Sequence, residues 1–194
     1  MTVDDAFKAL IEDKDFYLTS NGGATISGGE CLMQADFVAE VLKKLKEENI
    51  HTAVDTCGYV PESAFKKVIP YTDIFLYDIK AFSEETHIKC TGKSNKLIWD
   101  NLAFLDKNNK KVIIRYPVIP EYNDFEAEAI AQRLSGFNNI ESVDILQYHN
   151  FSGSKYDALG LKNTMPDVEP PAKERLDEIR NIFSSYGLKV NKES

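Results

Sequence analysis

The sequence has little of what marks secreted, membrane-spanning or nucleic-acid-binding proteins. It contains three cysteines in 194 residues, an odd number that argues against a complete disulfide framework. No apolar run approaches the roughly 20 residues that a membrane-spanning helix needs. The first residues, Met1 to Asp5, show neither the basic nor the apolar part of a signal peptide. The net charge of -8 repels phosphate backbones. We therefore expect a cytoplasmic protein that binds neither membranes nor nucleic acid.

Close cysteine pairs and phosphate-binding loops are also missing. Cys31, Cys57 and Cys90 are separated by 26 and 33 residues, unlike the close pairs of zinc ribbons and cluster loops. Residues 23–28 do not spell the dinucleotide-binding fingerprint, and no G-K-[ST] follows them. We expect three reduced thiols and no nucleotide site of the P-loop or Rossmann type.

What the sequence does have is a regular alternation of strand and helix patterns. Hydrophobic residues make up 43% of the chain, enough for one packed domain over residues 1–194. Strand-like runs are predicted at residues 24–27, 51–55, 73–80, 111–118 and 143–148. Helices are predicted from residue 2 and at residues 37–46, 61–69, 95–108, 124–134 and 170–186. Such crossovers favour parallel pairing, in either an open doubly wound sheet or a (β/α) barrel.

Polar residues and glycines stand where each predicted strand ends. In (β/α) barrels the carboxyl ends of the strands meet at one mouth, where the active site lies. Five successive strands with this feature favour the barrel. The strand-end residues are residues 27–30, residues 55–56, residues 78–80, Arg115 and His149.

The chemistry of these residues suits a zwitterionic ligand that carries a nucleoside. Adjacent glycines let a backbone edge approach a ligand closely. Carboxylates accept from an ammonium group or hold hydroxyls and small cations, and lysine and arginine pair with a carboxylate or a peptide carbonyl. A histidine stacks on or hydrogen-bonds a base or ribose. The residues that carry these roles are Gly28, Gly29, Glu30, Asp55, Asp78, Lys80, Arg115 and His149. An ammonium, a carboxylate and a nucleoside together describe S-adenosylmethionine (SAM).

The same residues belong to an ordered set of motifs that covers nearly the whole chain. The motifs are Phe16-Tyr17, residues 20–30, residues 51–59, Asp78-Ile79-Lys80, His87, residues 91–95, residues 114–120, Asn123-Asp124, Tyr148-His149 and Lys155-Tyr156. The set resembles the activating enzymes of glycyl radical enzymes, a family of the radical SAM superfamily whose best-known member is the pyruvate formate-lyase activating enzyme.

The resemblance implies an α/β fold, a partial (β/α) TIM-type barrel of the radical SAM type that lacks the first β/α unit. It implies an oxidoreductase reaction in which a reduced [4Fe-4S] cluster cleaves SAM to methionine and a 5′-deoxyadenosyl radical. That radical takes hydrogen from a backbone glycine of the partner, a glycyl radical enzyme. A flavodoxin- or ferredoxin-type protein is the implied reductant.

The resemblance also implies a role for each strand-end residue. Gly28, Gly29 and Glu30 match the element that binds the methionine amino group. The segment Asp78, Ile79 and Lys80 matches one that lines the SAM pocket, and His149 matches a SAM contact. Asp55, Thr56 and Asp78 match positions that hold a monovalent cation. Arg115 matches an arginine at the mouth, near the cofactor and the substrate glycine.

The chain departs from the family at several positions. The cluster motif C-x-x-x-C-x-x-C is absent, so no cluster cysteine is assigned in this chain. Cys31 stands where proline is common, Cys57 where serine or asparagine is common, and Glu121 where glycine is common. We therefore expect a chain that lacks the family's first strand, cluster loop and first helix, does not cleave SAM alone and binds SAM weakly.

Three further expectations concern surfaces and alternative functions. The loss of an edge strand predicts self-association beside residues 24–27, or an N-terminal helix that covers this edge. The segment at residues 151–169 has no clear period, which predicts a long loop that contributes to partner specificity. Two other functions fit the sequence less well: a different radical SAM maturase, and a cluster-free domain that binds a nucleoside or a protein.

Overall fold

The computed structural model describes residues 1–148 and 168–191 of the chain. Within these residues the strands are β1 (Gly23–Ile26), β2 (His51–Thr56), β3 (Ile74–Asp78), β4 (Lys111–Val118) and β5 (Ile140–Gln147). The α-helices are α1 (Val3–Ile11), α2 (Lys14–Ser20), α3 (Ala35–Glu47), α4 (Glu62–Val68), α5 (Glu84–Thr91), α6 (Lys96–Lys107), α7 (Ala127–Leu134) and α8 (Lys173–Ser185).

The strands form one sheet in the order β1-β2-β3-β4-β5, which is also their order in the chain. Strands β1 and β2 pair in parallel with Ala24 opposite Thr52, and β2 and β3 pair in parallel with Val54 opposite Phe75. Helices separate the consecutive strands, as parallel pairing requires. The order and direction of the strands confirm the predicted α/β fold of the partial TIM-barrel type.

Local sequence explains where several elements begin and why they are buried on one side. At the start of α1, the Thr2 side chain accepts from the backbone N–H of Asp5, and the Asp5 side chain accepts from the backbone N–H of Thr2. This reciprocal capping box is the predicted helix start. In β4 every second residue is buried, so that one face of the strand packs into the core.

The chain divides into two compact regions. The first compact region consists of Met1–Asp78, Lys96–Ile114 and Phe137–Glu141. The second consists of Ile79–Asn95, Arg115–Gly136 and Ser142–Ser194. Each region is considered separately below, and the prediction of a single domain over residues 1–194 stays a prediction.

In the first compact region, helix α1 packs against edge strand β1 and helix α3. Ala6, Ala24, Val41, Leu45 and Ile50 form a buried cluster between these elements. Helix α1 thus shares a buried cluster with β1, and the predicted helical cover of the β1 edge stays a prediction. Self-association at the β1 edge stays a prediction.

Two helices were missing from the sequence interpretation. Helix α2 has no buried residue, and α5 buries only His87. Neither helix therefore carries the apolar stripe from which helices are predicted. After the last helix, Val190 forms an isolated parallel bridge with Val143. None of the helices in the described part of the chain is long and apolar enough to cross a membrane.

Candidate functional site

The loop that follows β1 exposes two glycines at the carboxyl end of the strand. Gly28 and Gly29 have φ angles of 107° and 48°, in the region that only glycine adopts readily. A Cβ atom added at either position would meet none of the described atoms within 4 Å. Both residues are solvent-exposed. Their backbone is therefore exposed, and the predicted approach of a ligand there stays a prediction.

The Glu30 side chain ties this loop to the end of β2. One carboxylate oxygen accepts from the backbone N–H of Leu32 at 3.1 Å, and the other accepts from the backbone N–H of Cys57 at 2.9 Å. The Thr56 hydroxyl lies 2.8 and 2.9 Å from the two oxygens. The predicted contact with a ligand ammonium stays a prediction, and an ammonium would share the carboxylate with these three donors.

Behind Glu30 lies a tightly packed corner. Thr56 is 3% exposed, and its hydroxyl also accepts from the backbone N–H of Gly58 at 3.0 Å. Gly58 has a φ of 71°, and a Cβ there would lie 1.9 Å from the hydroxyl oxygen of Tyr77. That hydroxyl donates to the carbonyl of Ile98 at 2.7 Å. Only glycine fits this corner, which we call the Glu30 corner (Glu30, Thr56, Gly58 and Tyr77).

Cys31 lies beside the Glu30 corner as a buried thiol. Its sulfur is 3.3 Å from the carbonyl oxygen of Asp55. Burial, with the charges of Glu30 and Asp55, raises the pKa of the Cys31 thiol to about 12. The thiol is therefore protonated at neutral pH, and in this state it is a poor metal ligand.

The acidic residues of the first compact region lie at two neighbouring strand ends. Asp55 accepts from the hydroxyl of Ser27 at 2.9 Å, which links the ends of β2 and β1. Asp78 ends β3, next to β2 in the sheet. The monovalent cation predicted at Asp55, Thr56 and Asp78 stays a prediction, and the Thr56 hydroxyl already serves Glu30 and Gly58.

In the second compact region, the segment after β3 carries Ile79 and Lys80. The backbone N–H of Ile79 donates to the carbonyl of Arg115 at 3.0 Å, so these two predicted site residues are neighbours on adjacent backbones. Ile79 is buried, whereas Lys80 and Arg115 are partly exposed. Of the predicted residues in this region, the structure thus brings Ile79, Lys80 and Arg115 together.

Three buried side chains hold the main chain of residues 80–83. Asn123 donates its amide to the carbonyls of Lys80 and Pro117 at 2.8 and 2.7 Å. Asn95 donates to the carbonyls of Ala81 and Phe82 at 3.2 and 2.8 Å. The carboxylate of Glu126 accepts from the N–H groups of Phe82 and Ser83 at 2.7 and 3.3 Å. We call Asn95, Asn123 and Glu126 the Lys80 clamp.

The sequence interpretation assigned no role to the Lys80 clamp. Asn95 and Asn123 belong to the family motifs, whereas Glu126 belongs to none of them. Their partners within residues 80–83 lie 13 to 44 residues away in sequence, so no local sequence pattern indicates these contacts.

Two other expectations lie partly or wholly outside the described residues. His149 is not among them, and only Val168 and Glu169 of the segment 151–169 are. Among the described histidines, cysteines and acidic residues, no group of three is arranged to hold a metal ion.

Comparison with known proteins identifies the family to which the chain belongs. The sequence model of the radical SAM superfamily matches residues 2–134. The chain is 37% identical to the trans-4-hydroxy-L-proline dehydratase activating enzyme of Clostridioides difficile over 97% of its own length and 65% of that enzyme's. It is 33% identical to the pyruvate formate-lyase 1-activating enzyme of Escherichia coli K12, over 98% of its own length and 79% of that enzyme's. The chain belongs to the radical SAM superfamily, and within it to the activating enzymes of glycyl radical enzymes.

A solved structure supports the same assignment. A domain of the pyruvate-formate lyase-activating enzyme from Bacteroides vulgatus superposes with a TM-score of 0.74 and 25% identity. The match covers 88% of this chain and 98% of that domain. The chain spans just under two thirds of the length of the C. difficile relative. The family resemblance that the sequence motifs suggested is confirmed.

Membership in the superfamily implies SAM and a [4Fe-4S] cluster, and the two fit the described residues differently. The backbone at Gly28 and Gly29 is exposed, and none of the described atoms lies within 4 Å of a Cβ placed there. This open space suits a ligand such as SAM. A four-iron cluster needs several thiolates. The three cysteines of the sequence do not supply the motif, and Cys31 is buried and protonated at neutral pH. The cluster does not fit these residues.

Proposed function

We propose that this chain forms the SAM-binding part of an enzyme that generates a glycyl radical on a partner enzyme. The observation that carries the proposal is its identity of 33% and 37% to two activating enzymes over at least 97% of its length. A cytoplasmic location and a flavodoxin- or ferredoxin-type reductant belong to the same proposal.

The proposed binding roles are those that the family resemblance implies. The backbone of Gly28 and Gly29 holds the amino group of SAM, with Glu30 fixing the loop. Lys80 pairs with the methionine carboxylate, and Ile79 lines the pocket. His149 contacts the nucleoside, and Arg115 stands near the substrate glycine. When bound, SAM supplies the adenosyl group with which the family acts on its partners.

The charges of SAM support these assigned roles. The ammonium of SAM needs acceptors, and an exposed glycine loop offers backbone carbonyls without side-chain obstruction. The carboxylate of SAM needs a positively charged donor, and the lysine ammonium group offers three N–H donors and a compact positive charge. The cation at Asp55, Thr56 and Asp78 is part of the proposal and would offset the two carboxylates.

The chain alone is proposed not to cleave SAM, because its described residues and its three cysteines do not hold the cluster. After anaerobic incubation with iron, sulfide, dithionite and SAM, we expect no 5′-deoxyadenosine above the protein-free control. Release of 5′-deoxyadenosine in proportion to protein would contradict this part of the proposal.

The partner is tested by direct binding. The immobilised chain is exposed to trans-4-hydroxy-L-proline dehydratase, pyruvate formate-lyase and serum albumin, with and without SAM. We expect saturable binding of a glycyl radical enzyme that Arg115→Ala weakens, and no binding of albumin. Lys111→Ala, a change at the other end of the Arg115 strand, should leave binding intact. Equal binding of all three proteins, or of none, would count against the activating function.

A further inference from the structure

We propose that Asn123 is a positioning residue that fixes Lys80, through the main chain, for binding the carboxylate of SAM. The inference rests on the proposed function, because it needs Lys80 to contact the ligand. Asn123 is not proposed to contact SAM. It holds the backbone carbonyl of Lys80, the residue that is proposed to contact it.

Asn123 is built into the fold with every polar group occupied. It is 1% exposed. Its side-chain oxygen accepts from the backbone N–H of Ile119 at 2.8 Å, while its amide reaches the carbonyls of Lys80 and Pro117. Its own carbonyl accepts from the hydroxyl of Tyr116. A side chain with these three partners, on a backbone held by Tyr116, has one orientation, so the carbonyl of Lys80 has one position.

The neighbouring residues extend this control along the segment. Glu126, 7% exposed, receives the N–H groups of Phe82 and Ser83. Asn95, 5% exposed, donates to the carbonyls of Ala81 and Phe82. Four consecutive residues that follow β3 are thus held by side chains rather than by a strand ladder. Such an arrangement is costly to build, because each buried polar group must find its partner.

The turn that carries Asn123 is itself anchored. Asp124 accepts from the backbone N–H of Glu121 at 2.8 Å and pairs with Arg175 of helix α8 at 3.1 Å. Arg175 also donates to the carbonyl of Asp124 at 2.8 Å. The anchor explains why Asn123 can serve as a fixed reference for Lys80.

A purely structural role predicts a different outcome from a positioning role, and a double-mutant cycle separates them. SAM affinity is measured by titration for the wild type, Asn123→Asp, Lys80→Met and the double variant. Asn123→Asp keeps the shape of the side chain and removes both amide donations. We expect it to weaken SAM binding about tenfold in the wild type and less than about twofold in the Lys80→Met background. Equal losses in both backgrounds would overturn the proposal.

The matched control is Asn139→Asp in the first compact region. Asn139 is also buried, and its amide donates to the carbonyl of Lys110 at 2.9 Å, away from residues 80–83. We expect it to lower the melting temperature while changing SAM affinity by less than about twofold. If Asn139→Asp weakens SAM binding as much as Asn123→Asp, the effect is general destabilisation and the proposal fails.

Hydrogen exchange tests the clamp without any ligand. The amides of residues 79–83 should exchange about tenfold faster in Asn123→Asp than in Asn139→Asp. Glu126→Gln, which retains one acceptor oxygen, should show a smaller increase and serves if Asn123→Asp does not fold. Unchanged exchange in both clamp variants would overturn the proposal. If the wild type binds no SAM, the proposed function fails and the ligand half of this inference fails with it, whereas faster exchange would still support the clamp.

Discussion

The Glu30 corner and the Lys80 clamp hold two predicted ligand-binding segments in opposite ways. In the first compact region, the loop sends one of its own side chains, Glu30, out to the next strand, and its glycines stay exposed. In the second, side chains from other elements reach in and hold the main chain of residues 80–83. The first arrangement leaves the loop backbone exposed, whereas the second fixes the backbone that carries Lys80.

The largest expected effect tests how closely the Glu30 corner is packed. Gly58→Ala places a methyl group against the hydroxyl of Tyr77 at a positive φ. We expect a loss of about 3 kcal/mol or more in the free energy of unfolding, because overpacking and backbone strain add. Urea unfolding measures it.

The matched control for this change is Gly29→Ala in the exposed loop. Gly29 also has a positive φ, but its Cβ would meet none of the described atoms within 4 Å. The cost should be about 1 kcal/mol, from backbone strain alone. Equal losses for the two variants would show that the corner is not closely packed.

A smaller effect separates the two ends of strand β2. Thr56→Val removes the hydroxyl that donates to Glu30 and accepts from Gly58, leaving a buried N–H without its acceptor. We expect a loss of about 1–2 kcal/mol in stability, together with a roughly fivefold weakening of SAM binding as the Glu30 loop loses its tether. Urea unfolding and SAM titration measure the two effects.

Thr52→Val provides the control at the other end of the strand. The Thr52 hydroxyl is buried and donates to the carbonyl of Tyr71 at 2.6 Å. The stability loss should be similar and SAM affinity should not change. A loss of SAM affinity in both variants would mean that the tether is not specific.

The third prediction concerns pH and the thiol beside the Glu30 corner. Because burial, Glu30 and Asp55 raise the pKa of Cys31 from 9.0 to about 12, the folded state holds its proton more tightly than the unfolded state. The resulting stability is fully present below pH 9 and is lost as the pH rises toward 12. At pH 10 the wild type should have lost about 1 kcal/mol more than Cys31→Ala, relative to pH 8. Parallel pH dependence of the two proteins would contradict the raised pKa.

The smallest expected effect lies in the turn before the Lys80 clamp. Glu121 has a φ of 67°, a conformation that strains glutamate more than it would strain glycine. Glu121→Gly should raise the free energy of unfolding by about 0.5 kcal/mol, because strain is relieved at some cost in entropy. Urea unfolding measures the change, and a destabilised variant would show that contacts of the Glu121 side chain outweigh the strain.

Sequence patterns predicted the parts of this molecule that depend on periodicity. Strand β4 was predicted over its full range, because its run of apolar and β-branched residues is visible in the sequence. The helix start at Thr2 could be predicted because threonine is a good helix cap, and the structure adds the reciprocal bond from Asp5. Helices α2 and α5 could not be predicted in this way, because α2 has no buried residue and α5 buries only His87.

The candidate site divides in the same way. Exposed glycines at 28 and 29 could be predicted from their position after a strand. The use of the Glu30 carboxylate by Thr56 and Cys57 could not, because the partners lie 26 and 27 residues away and belong to another strand end. The Lys80 clamp escaped for the same reason, since its hydrogen bonds join elements far apart in the chain.

The most direct test of the account is SAM binding by this chain and two lysine variants. Titration followed by ligand-observed NMR should show saturable binding by the wild type. Lys80→Met should weaken it about tenfold, consistent with the loss of one charged contact. Lys111→Met, at the opposite end of the neighbouring strand β4, should bind as the wild type does. No saturable binding by the wild type, or equal binding by both variants, would contradict the account.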